Sequence, residues 1–252
     1  MNWKISILFS TLAFLGFAQE VNQVDSKGRK QGKWEKVHPG TRVYIYRGQF
    51  KDDKPVGKFT YFYKSAKVKA VIEHSETSNR ATGYFYHEKG GIMSYGIYRN
   101  MKKDSVWTNV DVRGRLSSRE TYYKDSLHGP KVVFYPPPEP GVKKQAPSML
   151  CNYEMGKRVG EYKEYFESGN IKIKGHYKDG QKSGEWTTYH PGGRKMMFER
   201  YKEGNRHGWC SAFDKSGKET GKKYYYYGRH LEGKALKRKM EQMKELGINP
   251  NE

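Results

Sequence analysis

The sequence has little apolar material. Hydrophobic residues make up 35% of the chain, and the mean hydropathy is −1.00. Beyond residue 18 no segment is apolar enough to cross a bilayer, which takes roughly 20 residues. Residues 1–18 differ, because Lys4 is their only charge and Gly16-Phe17-Ala18 is a small-x-small cleavage site. They predict a signal peptide and an exported mature chain, periplasmic or secreted, with a peripheral place at a membrane left open.

Catalytic and metal-binding motifs are also missing. The sequence contains no P-loop, no HExxH, no CxxC and no G-x-S-x-G. Its histidines lack ligand spacing with a nearby carboxylate. Glu161 and Glu185 share one repeat column, which is typical of a solvated face, because an acid–base pair needs an asymmetric environment. We therefore expect no enzymatic activity, no cofactor and no metal site.

Only two cysteines are present, Cys151 and Cys210. An exported chain could join them in a disulfide, but the repeat register described below separates them by more than two units. At ~10 Å per unit that separation exceeds the reach of a disulfide. The sequence therefore predicts two free thiols.

Positive charge, aromatic residues and glycine are abundant. Lys and Arg number 48 against 27 Asp and Glu, which gives a net charge of +21, and there are 21 Tyr and 28 Gly. The charge is spread along the chain, which favours monomers and acidic partners. Many Tyr and Gly with few aliphatic residues favour a thin sheet over a thick core. Basic and aromatic residues together would suit nucleic acid, but export argues against that partner.

An eight-residue phrase recurs 24 residues later, as Y-K-D-G-Q-K-S-G from Tyr177 and Y-K-E-G-N-R-H-G from Tyr201. A fixed period of this length is typical of a repeat architecture. An aromatic residue stands two positions after the closing glycine in most units. This closing position, called the repeat glycine below, falls at Gly32, Gly57, Gly83, Ser105 (the one serine), Gly129, Gly160, Gly184 and Gly208.

Each unit predicts a strand, a turn, a return strand and a second turn, because short runs rich in Tyr, Trp and Thr alternate with glycine turns. The predicted fold is all-β: an elongated, single-layer, twisted antiparallel sheet of eight stacked β-hairpins. A column four positions before the repeat glycine favours residues that tolerate positive φ. It contains Gly28, Asp53, Asn79, Asp125, Gly156, Gly180 and Gly204, with Met101 as the exception.

The phrase Y-x-x-G-x-x-x-G followed by x-W/F/Y-x-x-Y/F resembles the MORN repeat, and most closely the MORN-variant repeat of YwqK-family antitoxins. The best matches are residues 153–160, 177–184 and 201–208, and the resemblance covers roughly residues 25–232. It implies stacked hairpins, no catalytic residues and, in some members, neutralisation of a partner toxin. MORN repeats more broadly serve as scaffolds, and lipid binding is attributed to some. Export departs from the antitoxin pattern, because it would put a cytosolic toxin out of reach.

Two segments depart from the repeat domain of residues 19–231. In the proline-rich stretch 135–148 three consecutive prolines cannot pair in a sheet ladder, so an enlarged hairpin loop is favoured. A protruding segment for a partner groove and a division into two subdomains are left open. Residues 232–252 predict a helix and tail that cap the last repeat, with a membrane-surface role as the alternative. The predicted apolar helix face comprises Leu236, Met240, Met243 and Leu246, with Gly247 as the stop.

The sequence predicts a non-enzymatic exported scaffold that binds a protein partner in the cell envelope, with an antitoxin- or immunity-like inhibitor as one form. Exposed aromatics on one sheet face would then make the contact. The alternative is a charge-driven binder of anionic envelope polymer or lipid headgroups. Basic residues just before each repeat glycine would then line one side of the ribbon, about 10 Å apart. These candidate binding residues are Arg29, Lys30, Lys54, Arg80, Lys102, Lys103, Lys157, Arg158, Lys182, Arg206 and Arg229.

Overall fold

The structure is a computed structural model that describes residues 20–138 and 145–251. The predicted signal peptide and the centre of the proline-rich stretch lie outside the described residues. Within them, nineteen strands form one antiparallel sheet that does not close, and one helix follows. The elements are β1 Gln23–Val24, β2 Lys30–Val37, β3 Tyr44–Lys51, β4 Lys54–Phe62, β5 Val68–His74, β6 Arg80–Tyr86, β7 Ile92–Arg99, β8 Lys102–Val110, β9 Leu116–Tyr123, β10 Ser126–Phe134, β11 Pro147–Glu154, β12 Lys157–Tyr165, β13 Ile171–Lys178, β14 Gln181–Tyr189, β15 Lys195–Lys202, β16 Asn205–Arg206, β17 Gly208–Phe213, β18 Glu219–Tyr226, β19 Arg229–Leu231 and α1 Gly233–Glu245.

Each strand pairs with its neighbours in the sequence, and β16 and β17 both pair with β15. The sheet therefore grows hairpin by hairpin, as the period predicts. The ribbon has two long sides. We call the side with the two-residue turns the turn side, and the side with the longer hairpin loops the loop side.

The turn side is built from type I′ turns. Asp179 and Gly180 have φ of 50° and 85°, and this turn type needs positive φ at both central residues. The same pair of positive φ values recurs at residues 52–53, 100–101, 124–125, 155–156, 203–204 and 227–228. Met101 differs from the other residues of its column in residue type, but its backbone has the same positive φ. The prediction for Asn79 is wrong, because a longer loop, residues 75–79, replaces the turn there.

Neighbouring units are hydrogen-bonded along both long sides. On the turn side the Gly180 amide donates to the Arg158 carbonyl at 2.9 Å, and the equivalent Gly204 amide donates to the Lys182 carbonyl at 3.1 Å. On the loop side His190 Nε2 donates to the Phe213 carbonyl at 3.2 Å. The phrase recurs because each turn must present the same amide to the unit before it.

The repeat glycines form bulges. Gly184 has φ of 65°, and residues 184–186 together oppose the single residue Gly175, since the register on either side jumps from Ser183 to Thr187. Glycine is favoured at its first residue because that residue has positive φ, as in the common bulge with two residues opposite one. Gly83 differs, because it lies in a regular strand without positive φ. Its unit has the long loop 75–79 and no bulge at this glycine.

Bulges followed by an aromatic residue lay its ring on the sheet. Trp186 is 3% exposed and covers Gly175, where an added Cβ would clash with the indole ring. Its Nε1 donates to the His176 carbonyl at 3.2 Å. Trp107 covers Gly96 in the same way. We call this side of the sheet the aromatic face, and its glycines are what allow a single layer to bury large rings.

The last unit departs from this pattern. Cys210 stands in the aromatic column, and Trp209 comes one residue earlier, so it lies on the opposite face. There it contacts Tyr224, with ring centroids 5.3 Å apart. Helix α1 caps the same face, and the Tyr224 hydroxyl lies 3.4 Å from Met243 Sδ. The predicted cap is confirmed, but it covers a face of β18 and not its edge.

The predicted apolar helix face is partly wrong. Met243 is buried, whereas Leu246 is 64% exposed. The helix ends there, because Gly247 adopts φ of 63° and the Ile248 amide donates to the Met243 carbonyl at 2.8 Å. This Schellman arrangement turns the chain before Leu246 can pack.

The proline-rich stretch connects two paired strands. Strands β10 and β11 form an antiparallel hairpin, so the sheet continues across the stretch, as expected for an enlarged hairpin loop. Gln145 returns to the sheet and uses its side-chain amide as a strand would use its backbone. Its Nε2 donates to the Leu116 carbonyl and its Oε1 accepts from the Leu116 amide, both at 2.9 Å.

Candidate functional site

All the candidate cations except Arg29 lie in strands, not in turns. The second turn predicted for each unit is shorter than the segment between the strands implied: before Gly208 it is confined to Glu203 and Gly204, and the chain is extended again from Asn205. Because successive strand residues point to opposite faces, the positions two and three before the repeat glycine diverge. The expectation of a single row along one side is therefore wrong, and the cations form two rows.

The inner row lies on the aromatic face. Lys182 Nζ is 4.2 Å from the Trp186 ring centroid and 4.7 Å from that of Tyr201. Lys103 sits in the same way, 4.3 Å from the Trp107 ring. These inner cations are Lys30, Lys103, Arg158, Lys182 and Arg206. They cover the aromatic face, so the rings predicted to contact a partner are already packed by the chain itself.

Two inner cations make stronger contacts. Arg158 Nη1 donates to the Tyr177 hydroxyl at 3.0 Å, and its Nε donates to the Tyr153 hydroxyl at 3.3 Å. Arg206 Nε donates to Glu199 Oε1 at 2.7 Å. A guanidinium that satisfies buried oxygen atoms stabilises the fold and is less available to a ligand.

The outer row occupies the positions three before the repeat glycine, and Arg229 continues it beyond the last unit. Arg29 is paired with Asp25 at 2.7 Å and with Asp52 at 2.9 Å. The other members are exposed, and within residues 20–138 and 145–251 none of them takes part in an ion pair. The outer cations are Arg29, Lys54, Arg80, Lys102, Lys157 and Arg229.

A groove opens in the outer row where the repeat is irregular. Loop 75–79 and the turn at Asn100 enclose a cavity of about 580 Å³. Lys54 and Arg80 line it together with the apolar residues Pro55, Val56, Ala81 and Met101. A second cavity of about 520 Å³ adjoins it through Asn100 and is lined by Lys102, Tyr123 and Lys124. We call the two cavities together the turn-side groove.

Loop 75–79 is held by its own hydrogen bonds. Ser75 Oγ accepts from the Thr77 and Ser78 amides at 3.3 and 3.1 Å. Asn79 Nδ2 donates to Asn100 Oδ1 at 2.8 Å, and the Asn100 amide donates to the Asn79 carbonyl at 2.8 Å. Sequence reasoning missed this groove, although the uneven spacing on either side of Gly83 marks it.

The charge of the groove comes from its Lys and Arg side chains. Burial lowers the pKa of His74, which also lines the first cavity, so this imidazole is uncharged at neutral pH. Glu76 and Asp104 are the acids in the lining, and Asp104 lies 3.6 Å from Arg99. The groove therefore combines fixed positive charge with an apolar floor.

The described residues offer little for covalent or metal chemistry. Cys151 and Cys210 are free and buried, as predicted, and burial raises the pKa of both thiols. Glu161 and Glu185 are exposed and paired with Lys163 and Arg200. Among the residues that the structure covers, no group of His, Cys, Asp or Glu is arranged to hold a metal ion.

The described part of the chain contains no helix that could cross a membrane. Its one helix, α1, is too short and too polar to span a bilayer.

Comparison with protein families gives no matching family model, and comparison with curated proteins gives no match. The resemblance to MORN-variant antitoxins stays a prediction, carried by the repeat residues.

Proposed function

We propose that this chain is a non-enzymatic, exported scaffold of the cell envelope that binds an acidic segment of a protein partner in its turn-side groove. The observation that carries the proposal is the lining of that groove, where Lys54 and Arg80 flank Val56 and Met101. A ligand that matches it presents carboxylates and an apolar side chain, which is the chemistry of an acidic peptide. An immunity-like inhibitor is one form of such a scaffold.

An anionic envelope polymer or a lipid surface is the second candidate, and the outer cations favour it, since they recur along the turn side. A repeating anion matches a regular row of charges. Loop 75–79 interrupts that row at the groove, and the inner cations are engaged by rings and buried oxygens. These features support a protein partner over a polymer.

The test compares two charge reversals in the same units. The groove variant is Lys54→Glu with Arg80→Glu and Lys102→Glu. The matched control is Lys64→Glu with Lys67→Glu and Lys89→Glu, three exposed residues on the loop side. Both variants change the net charge equally. Crosslinked capture from envelope extract, followed by mass spectrometry, should recover a protein partner with wild type and control but not with the groove variant.

Phosphatidylglycerol vesicles and an acidic polysaccharide serve as probes of the second candidate. If charge alone drives binding, both variants weaken binding to these probes alike, and salt screens it. The proposal is wrong if the two variants lose the protein partner equally, or if only vesicles and polysaccharide bind. Partial persistence of capture at high salt is expected, because apolar contacts in the groove are not screened.

A further inference from the structure

The last long strand of the sheet has an open half. Strand β18 pairs with β17 along its length, but β19 pairs only with Tyr224, Tyr225 and Tyr226. Residues 219–223 are all exposed and, within the described chain, have a strand on one side only. Their outward backbone donors and acceptors face solvent. The chain leaves the sheet after β19 and enters α1, which covers a face of β18 and not this edge.

The repeat itself identifies what fits there. Gly221 and Lys222 stand 24 residues after Met197 and Phe198. Those two residues pair antiparallel with Ala212 and Ser211 of the next unit. The equivalent position beside Gly221 and Lys222 carries no strand, so an added antiparallel strand would continue an existing ladder without rearrangement.

The opposite end of the sheet is closed by the chain itself. At β2 the Asn22 amide donates to the Lys33 carbonyl at 2.8 Å, and Asn22 Oδ1 accepts from the Glu35 amide at 2.9 Å. An unprotected edge strand is a template for pairing with another chain. Because Asn22 protects β2 and nothing in the described residues protects the open half of β18, the two ends differ in their capacity to accept a strand.

The surroundings of the open half select the chemistry of its occupant. A cleft of about 220 Å³ on the aromatic face is lined by Met197, Cys210, Ala212 and Gly221 and by the charged residues Glu199, Arg206 and Lys223. Glu199 is paired with Arg206, and an aromatic ring in place of Cys210 would occupy this space. Side chains of an added strand alternate between faces, so an apolar residue would enter the cleft while its neighbours meet basic side chains. These are Lys215, Lys218 and Lys222, whereas Lys223 lines the cleft itself.

We propose that the open half of β18 accepts an extended acidic segment of a partner protein by strand addition, with one apolar side chain seated beside Gly221. A second copy of this chain is a poor occupant, because two chains of net charge +21 repel each other. The site is separate from the turn-side groove and does not rest on the function proposed for it.

The test uses the mature chain and synthetic peptides that alternate Glu and Val. Two isomers are N-methylated, one on the odd and one on the even residues, which removes backbone donors and leaves the charge unchanged. Only alternate residues of an added strand bond to its neighbour. One isomer should therefore bind like the parent peptide and the other about tenfold more weakly or worse. Equal affinity of the two isomers, or no binding of the parent, overturns the proposal.

Two further readouts locate the site. Lys218→Glu with Lys222→Glu should weaken parent-peptide binding about tenfold, whereas the matched Lys33→Glu with Lys36→Glu at the protected end should weaken it much less. Amide hydrogen exchange at residues 219–223 should slow when the peptide is added. Unchanged exchange there on a bound peptide, or equal losses in the two variants, would place the peptide elsewhere and overturn the proposal.

Discussion

The aromatic face contains two contrasting kinds of cross-strand pair, besides others such as Tyr162 opposite Cys151. We call each pair a rung; it joins the residue two positions after a repeat glycine to the residue it covers on the preceding return strand. In the aromatic rungs a ring lies on a glycine, as Trp186 does on Gly175. In the acid rungs a carboxylate replaces the glycine and no ring covers it, as at Glu199 with Cys210. The backbone tolerates both kinds of rung because each pairs one large side chain with one small one: Trp186 with Gly175, and Glu199 with Cys210.

The inner cations have different roles in the two kinds of rung. Lys182 rests on the Trp186 ring, which is already packed between Tyr177 and Tyr201 at centroid distances of 5.0 and 6.2 Å. Arg206 instead neutralises Glu199, which is only 9% exposed. The cation therefore adds little to the stability of an aromatic rung, whereas an acid rung needs it to neutralise a nearly buried carboxylate. The acid rung also leaves the cleft beside β18, which an aromatic rung would fill.

The largest effect is expected from adding one methyl group to an aromatic rung. In Gly175→Ala the new Cβ overlaps the Trp186 ring, which Tyr177 and Tyr201 prevent from moving aside. Overpacking of this kind should cost about 3 kcal/mol of unfolding free energy, measured by urea denaturation. The matched control is Gly221→Ala, where an added Cβ meets nothing within 4 Å. Equal losses at the two positions would show that the rungs are not packed as described.

Removing the cation of an acid rung should have the next largest effect. Arg206→Met leaves the Glu199 carboxylate without its 2.7 Å partner, and an uncompensated buried charge is costly. Since the Arg206 side chain is 44% exposed, the discounted loss is roughly 2 kcal/mol. Arg206→Lys should recover part of it. A loss as small as that of an exposed lysine would mean that the ion pair contributes nothing.

A second acid rung, formed by Glu120 and Lys131, should make stability depend on pH. Burial raises the pKa of Glu120, but hydrogen bonds from Lys131 at 2.8 Å and from Tyr122 outweigh it and hold this pKa below its ordinary value. The native state therefore favours the carboxylate. Its contribution is present above the ordinary glutamate pKa and is lost as pH falls through the lowered one.

Glu120→Gln should accordingly flatten the fall in unfolding free energy between about pH 5 and pH 3. Urea denaturation across that window measures it, and Lys131→Met should flatten the same window by removing the partner. A variant whose stability still falls as steeply as that of wild type would show that Glu120 does not contribute. No such change is expected from Gly221→Ala, which alters no charge.

Particular residues show where sequence reasoning succeeds and where it stops. The alternation of Tyr177 with glycine turns predicted the hairpin stack, because strand and turn rules act locally. The positive-φ turn predicted at Asn79 was wrong, since asparagine is equally suited to such a turn and to the loop that replaces it. The two rows of cations were missed because a type I′ turn is shorter than the charged segment around it. The open half of β18 depends on where the chain leaves the sheet, which no column of the repeat encodes.

The smallest effect is expected from the cation of an aromatic rung. Lys182→Met removes the ammonium 4.2 Å from the Trp186 ring and keeps a side chain of similar length over it. Partly exposed cation–π contacts are worth about 0.5–1 kcal/mol, so the loss of unfolding free energy should stay within that range. Lys178→Met is the matched control, since Lys178 is an exposed residue of the preceding strand and, unlike Lys174 and Lys182, lies over no ring of the described residues. A loss for Lys182→Met equal to that of Arg206→Met would mean that both rungs depend on their cation alike. A loss no larger than that of the control would mean that the ring needs no cover at all.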